Sequence, residues 1–165
     1  QGAMRNAVKK DFRDIYSRPM SQGTRCHQLA TYIVFDSPLV MLCDAPTAYR
    51  KEPECTRFIA GLPVVADETR ILQGKMGEYI VTARRVGEDW IVGGLTDWEA
   101  RTVDLDLSFL PEGMFRAEIF CDGINADKKG EDYRHEYRDV KREDRLKMQL
   151  APGGGFAIRL KKNHN

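Results

Sequence analysis

The chain has 165 residues, of which 42% are apolar and 31% charged, and its 26 Lys and Arg residues almost balance its 25 Asp and Glu residues. This length suits roughly one domain or slightly more, and the near-neutral charge excludes a basic nucleic-acid face or an acidic tail. No apolar run approaches the about 18 residues of a membrane-spanning helix, and the N-terminus lacks the apolar core of a signal peptide. We expect no membrane segment here, and any export signal to lie outside this sequence.

The N-terminal third has a helical pattern. Residues 6–16 form a short amphipathic stretch, and Thr24 can cap a helix that runs to about residue 36, before Pro38. Pro46 and Pro53 then delimit two shorter helical segments.

Beyond residue 62 the pattern changes to alternation of apolar and polar residues, bounded by Gly and Asp. It predicts short strands over 78–85, 90–96, 102–107, 114–122, 133–140, 146–150 and 156–160. We therefore predict an α+β chain with a helical part over residues 1–62 and an antiparallel, sandwich-like β domain over residues 63–165.

The predicted helix over 24–36 carries more apolar surface than one core-facing stripe needs. Its stripe contains Cys26, Leu29, Ala30 and Ile33, while Tyr32, Val34 and Phe35 lie on other sides. The run 38–43 is as apolar, and a chain of this size cannot bury all of it. We expect either a homo-oligomer or a piece of a longer protein.

The four cysteines contain no CxxC pair, so their spacing supports neither a zinc ribbon nor a thioredoxin-like motif. Cys43 and Cys55 flank a Pro-rich loop and could bridge in an oxidising compartment, a question that the spacing leaves open. Cys26 and His27 are adjacent, about 100° apart on a helix, which argues against a catalytic dyad and favours a hydrogen-bonded role for His27.

The acidic residues show no convincing catalytic pair. Three pairs lie at the predicted ends of helices and strands, where caps and turns are expected: Glu52 and Glu54, Asp67 and Glu68, and Asp97 and Glu99. The loop over 122–132 is rich in oxygen ligands, yet it lacks the spacing of an EF-hand, which favours an Asx-type loop between strands over a calcium site.

Two further motifs have ordinary structural interpretations. The glycine run over 153–155 leads into a strand rather than a helix, so it predicts a turn and not a phosphate cradle. Four aromatic residues could form a sugar-stacking platform but are more typical of core: Tyr79, Trp90, Trp98 and Phe156. Of these, Trp98 stays a candidate for glycan stacking.

Nine stretches match, in chain order, the motifs of one known family: 19–30 (PMSQGTRCHQLA), 37–39 (SPL), 52–56 (EPECT), 67–69 (DET), 77–80 (GEYI), 96–98 (TDW), 107–110 (LSFL), 122–127 (DGINAD) and 150–155 (LAPGGG). Together they resemble the C-terminal part of glycoside hydrolase family 97. The sequence departs from that family at Ala66, where a Trp would be expected, which affects local packing rather than the resemblance.

The resemblance implies a fold. Residues 1–62 would be the last helices of a catalytic (β/α)8 barrel, and residues 63–165 the all-β C-terminal domain. The overexposed apolar helix would then be an outer barrel helix whose other neighbours lie in the rest of the parent chain.

The resemblance also implies that the parent is a periplasmic or otherwise exported α-glucosidase or α-galactosidase with calcium in its active site. Its catalytic carboxylates and calcium ligands would lie outside this chain, so we assign no catalytic or metal-binding residue here and expect the piece to be inactive. The expected partners are the missing N-terminal part and an α-linked oligosaccharide, with no nucleic acid or membrane. Gln22, Thr24 and Arg25 would lie nearest to the substrate. The alternative is a stand-alone carbohydrate-binding module.

Overall fold

Three helices precede eight strands in the computed structural model, which describes residues 6, 9–10, 12–13, 16, 23–37, 39–42 and 44–163. The helices are α1 (Arg25–Val34), α2 (Pro46–Lys51) and α3 (Pro53–Ala60). The strands are β1 (Glu68–Lys75), β2 (Tyr79–Val86), β3 (Asp89–Thr96), β4 (Arg101–Asp106), β5 (Phe115–Asp122), β6 (Tyr133–Val140), β7 (Arg145–Leu150) and β8 (Gly155–Lys162). None of the described helices has the length and apolar character needed to cross a membrane.

The strands form two antiparallel sheets. Six of them pair in the order β1-β2-β3-β8-β5-β6, and β4 pairs with β7 in a separate two-stranded sheet. Strand β8 lies inside the larger sheet and joins its two halves, because it pairs with β3 on one side and with β5 on the other. The predicted antiparallel β domain is confirmed, and each of the seven predicted strands agrees with an observed strand to within two residues.

Strand β1 is the strand that the sequence pattern missed. It forms one edge of the larger sheet, most of its residues are exposed or half-buried, and its register shifts between Ile71 and Gln73. An edge strand with a bulge has no single buried face, so alternation of apolar and polar residues does not mark it.

The predicted helix over 6–16 is not seen, because none of the residues described in that range is helical. Asn6 is instead held by long-range hydrogen bonds. Its side-chain Nδ2 donates to the carbonyl oxygens of Ala126 and Pro152 at 2.9 and 2.8 Å, and its backbone N–H donates to the Lys128 oxygen at 3.1 Å. Local periodicity cannot reveal contacts between residues more than a hundred positions apart.

The larger sheet buries residues on both faces. One face packs on the β4–β7 sheet around a core that includes Val92, Leu105, Phe115 and Ile158. The other face packs on α1 and α3, where the buried residues include Leu29, Ile33, Phe58 and Phe120. The result is a three-layer arrangement of helices, large sheet and small sheet.

Two adjacent glycines in β3 allow this close packing. A Cβ atom on Gly93 would lie 2.9 Å from the Ile33 Cβ atom and 3.1 Å from the Ala30 carbonyl oxygen, so the bare backbone lets α1 approach the sheet. A Cβ atom on Gly94 would lie 2.2 Å from the Phe156 ring. Gly93 therefore makes room for α1 on one face of the sheet, and Gly94 makes room for the Phe156 ring on the other.

The helical part leaves a large apolar surface exposed, as the sequence indicated. The exposed apolar segment consists of Phe35 and residues 39–42, whose exposed fractions range from 41% to 74%. The buried stripe of α1 faces the sheet, while the side chains of this segment keep much of their apolar surface exposed. Exposed apolar area of this kind marks a surface that contacts another molecule or another part of the same protein.

The structure describes Cys55 as a free thiol, and its possible bridge partner Cys43 lies outside the described residues. Cys55 lies on α3 and packs with Phe58 in the buried cluster under the helices, where burial raises its thiol pKa. Cys26 and Cys121 are also free and buried.

We expect the variant Gly93→Ala to lower the free energy of unfolding by about 1 to 3 kcal/mol, because the added methyl group collides with α1. Urea denaturation measures the change. Truncating Ile33 to Ala removes its Cγ2 atom, which would lie 3.2 Å from the added Cβ atom, so the two substitutions together should cost less than the sum of the single costs. Strictly additive costs would contradict a direct contact between the two positions.

Candidate functional site

A buried carboxylate joins the N-terminus of α1 to the β domain. Asp122, at the end of β5, accepts a hydrogen bond at Oδ1 from the Thr24 hydroxyl at 2.6 Å. Its Oδ2 accepts from the backbone N–H groups of Ala151 and Gly155 at 2.9 and 3.0 Å. We call this group, Thr24, Asp122, Ala151 and Gly155, the Asp122 junction.

Thr24 makes hydrogen bonds both within α1 and to the β domain. Its side-chain oxygen caps α1 by accepting from the His27 backbone N–H at 3.1 Å, which confirms the predicted N-cap. Its own N–H donates to the Gly153 carbonyl oxygen at 3.0 Å. Gly23 has a φ of 79°, and a Cβ atom there would lie 1.8 Å from the same oxygen, so the approach requires glycine.

Burial dominates the electrostatics of the junction. It raises the pKa of Asp122 from 3.8 to about 6, although the hydrogen bonds from Thr24 and the two backbone amides favour the ionised form. Burial, followed by the nearby Asp122 carboxylate, raises the thiol pKa of Cys26 well above its ordinary value, so this cysteine is an inert thiol. Burial also lowers the pKa of His27, whose Nδ1 lies 3.3 Å from the Gly154 oxygen.

Arg25 extends the junction to α3 and the β5–β6 loop. Its side chain is almost fully buried and pairs with Glu52, with 2.8 Å between Nη1 and Oε2. The guanidinium also lies over the Tyr133 ring, 5.7 Å from its centroid, and the backbone N–H donates to the Gly130 oxygen at 2.6 Å. These contacts fix the start of α1 relative to two other elements.

A second polar cluster, which the sequence pattern did not reveal, ties α3 to strands β5 and β6. His135 lies between two carboxylates, 3.2 Å from Glu118 and 3.5 Å from Glu54. Tyr133 donates to Glu54 at 3.0 Å, and Tyr137 donates to Glu118 at 3.1 Å. Both carboxylates are therefore engaged with side chains of the protein. The spacing of Tyr133, His135 and Tyr137 was the available signal, since it places all three on one face of β6.

The candidates for substrate proximity have different positions. Thr24 and Arg25 are buried and committed to the internal contacts above, and Gln22 lies outside the described residues. A role for these three near a substrate stays a prediction. Their observed contacts are those of residues that position α1.

The aromatic candidates do not form a common platform. Trp90 and Phe156 are core residues with 2% and 0% exposure, as the sequence favoured, so the four residues do not share a sugar-stacking surface. Trp98 is half-buried, and its ring makes an edge contact with Phe12 at 5.6 Å between centroids. Glycan stacking on Trp98 stays a prediction.

The acidic pairs lie where caps and turns were expected. Asp97 accepts from the Glu99 N–H at 3.0 Å and Asp67 from the Gly87 N–H at 2.7 Å. In the loop that follows β5, the Asp132 carboxylate accepts from the Asn125 N–H at 2.8 Å and so holds the two ends of the loop together. Among the residues that the structure describes, no group of three or more His, Cys, Asp or Glu side chains could hold a metal ion.

Comparisons with known proteins agree with this architecture. A family model described as "Glycosyl-hydrolase 97 C-terminal, oligomerisation" matches residues 65–161. A retaining α-galactosidase from Bacteroides thetaiotaomicron is 57% identical over 161 residues, which cover 98% of this chain and 24% of that enzyme. A probable retaining α-galactosidase from Streptomyces bingchenggensis is 30% identical over 130 residues, covering 79% of this chain and 19% of that enzyme.

Solved structures show the same relation. A glycoside hydrolase family 97 enzyme from Pseudoalteromonas sp. strain K8, in complex with acarbose, superposes with a TM-score of 0.83 at 38% identity, covering 86% of this chain and 23% of that one. The chain thus spans about a quarter of the length of its relatives. The fold and these matches define a C-terminal β domain of glycoside hydrolases, preceded by a helical segment. Within that class, the chain belongs to the glycosyl hydrolase 97 C-terminal family.

The raised pKa of Asp122 predicts a specific dependence of stability on pH. Because the folded-state pKa, about 6, exceeds the unfolded value near 3.8, protonation favours the folded chain. The contribution is complete below pH 3.8 and is lost as pH rises through about 6. Over that window, the wild-type free energy of unfolding should fall by about 3 kcal/mol relative to Asp122→Asn, whose amide does not titrate.

Urea titrations at several pH values measure this difference. Asp139→Asn is the matched control, because it removes one carboxylate that is exposed and paired with Arg116 on the surface. A constant difference between wild type and Asp122→Asn across the window would contradict the assignment.

Proposed function

We propose that this chain is the C-terminal part of a retaining α-galactosidase and that its own role is structural. The observation that carries the proposal is the alignment of 98% of the chain, at 57% identity, with only 24% of an enzyme of that name. The rest of that enzyme's length lies outside the aligned region. A stand-alone binding module is not favoured, since each relative described above is several times longer than the matched region.

The described carboxylates support a structural role. Glycosidases need one carboxyl group that protonates the leaving oxygen and a second that acts as nucleophile or base, about 5 to 10 Å apart across the scissile bond. Here the exposed Glu54, the half-buried Glu118 and the buried Asp122 each hold an internal partner. The catalytic pair of the parent enzyme belongs, in this proposal, to the part that precedes this chain.

The helical part would be the end of the catalytic domain. In this proposal, residues 1–62 are the last helices of a (β/α)8 barrel and residues 63–165 are the C-terminal domain. The exposed apolar segment supports the assignment, because an outer barrel helix needs cover from neighbouring helices. The family match that starts at residue 65 is compatible with this boundary.

Two properties of the parent are extensions of the same proposal. We propose that it binds calcium in its active site, through residues outside this chain. We also propose that it is exported to the periplasm.

The β domain would also contribute to association between copies of the enzyme. Support comes from the description of the matching family model, which names oligomerisation and covers only the β domain, residues 65–161. The association surface would then be distinct from the exposed apolar segment, which lies before residue 65.

The parent enzyme, encoded by the complete reading frame, should hydrolyse p-nitrophenyl α-galactoside with retention of anomeric configuration, which proton NMR of the first sugar product reports. The 165-residue chain should release no p-nitrophenol, because it lacks a catalytic carboxylate pair. Activity of the short chain, or a parent that cleaves only α-glucosides, would contradict the proposal.

Self-association of the 165-residue chain is expected and can be measured by sedimentation velocity across a range of concentrations. Leu39→Ser combined with Met41→Ser removes much of the exposed apolar segment and should leave the association in place, since the β domain carries it. A monomeric mass at all concentrations, or loss of association in the double variant, would contradict a role for the β domain.

A further inference from the structure

An open cleft of about 580 Å³ lies where the small sheet meets the loop that follows β5. It is lined by Thr102 from β4, Gln149 and Leu150 from β7, Ile124 and Asp127 from the loop, and Arg134 from β6. We call it the end cleft. Its volume falls in the range of small-molecule sites, about 300 to 1,000 Å³.

The polar side chains of the end cleft have unused hydrogen-bonding capacity. Thr102, Asp127 and Gln149 are exposed, and none of them makes a side-chain hydrogen bond to a described residue. Arg134 donates to the Cys121 sulfur at 3.2 Å. Although Arg134 and Asp127 carry opposite charges on one cleft, they form no ion pair with each other.

The charge of the cleft is balanced. Its lining contains two cationic and two anionic side chains: Arg101, Arg134, Asp122 and Asp127. Arg101 is occupied by Glu78 and Asp97 at 3.0 and 3.4 Å, and Asp122 belongs to the Asp122 junction. The groups available to a ligand are therefore one guanidinium, one carboxylate, one amide and one hydroxyl, a set that suits a neutral polar molecule better than an ion.

A pyranose sugar meets these requirements. Each hydroxyl can donate to the Asp127 carboxylate while it accepts from the Arg134 guanidinium, and the Gln149 amide can do both. The C–H face of the ring can pack on Leu150 and on Ile124, whose side chain is 94% exposed at the rim. Such a ligand bridges the unpaired charges without leaving either of them desolvated and unsatisfied.

We propose that the end cleft is an auxiliary binding site for a neutral hexopyranose unit, remote from catalysis. The choice of a galactoside as ligand rests on the proposed function. An open site of this size, holding one ring by a few hydrogen bonds, should bind with Kd on the order of 1 mM or weaker. The β domain would then retain a neighbouring sugar of the substrate.

The test is a titration of the 165-residue chain with methyl α-D-galactopyranoside, followed by two-dimensional amide NMR. Shifts should be confined to amides at residues 100–102, 123–127, 134 and 149–151. Gln149→Ala and Arg134→Ala should each raise Kd about tenfold. Arg138→Ala is the matched control, because Arg138 is exposed on the same strand and is not among the residues that line the cleft.

Three results would overturn the inference: no saturable shifts up to the solubility limit of the sugar, equal shifts with sorbitol, or binding that the Gln149 and Arg134 variants leave unchanged. The parent's hydrolysis of α-galactosides is measured separately. If the parent hydrolyses α-galactosides but the sugar causes no saturable shifts in the cleft, this inference alone is rejected. A parent without α-galactosidase activity rejects the proposed function, while saturable, variant-sensitive shifts still support a hexopyranose site.

Discussion

The buried carboxylate of Asp122 holds three distant parts of the chain in one place. It accepts hydrogen bonds from the cap of α1, from Ala151 in the β7–β8 turn and from Gly155 at the start of β8. Burying a carboxylate is costly in free energy unless its oxygens are hydrogen-bonded. The folded chain must therefore bring all three donors to Asp122 at once. The contact between Gly23 and Gly153 has the same effect, since only two bare backbones can approach so closely. The position of the helical part relative to the sheets follows from this one junction.

Much of the β domain could be predicted because its signal is local. In β4, Val103 and Leu105 are buried while Thr102 and Asp104 are exposed, and such a two-residue period is visible in any single sequence. Strand β1 lacked that signal because an edge strand with a bulge buries neither face consistently. The pairing order was not predictable either, since nothing local indicates that β8 lies between β3 and β5.

The site was predicted less completely, and the reason is sequence distance. The capping role of Thr24 is local and could be predicted, whereas its hydrogen-bond partner Asp122 is 98 residues away. Resemblance to a family placed Thr24 and Arg25 near a substrate, yet their observed contacts are internal. The cluster of Glu54, Glu118 and His135 draws on three separate elements, so no single segment could have shown it.

The central position of β8 bears on how such a chain folds during synthesis. Strands β3 and β5 can pair with β2 and β6 as they emerge from the ribosome, but they cannot join each other until β8 is made. Helix α1 packs on β3 and β8 together. The helical part can therefore complete its packing only after β8 has been made, although it is translated before the strands. Until then both inner strands present unpaired edges, the kind of surface that chaperones protect and that aggregates form from. A premature stop before Gly155 would therefore remove the strand that joins the two halves, and would leave the β1–β2–β3 unit and the β5–β6 hairpin unpaired with each other.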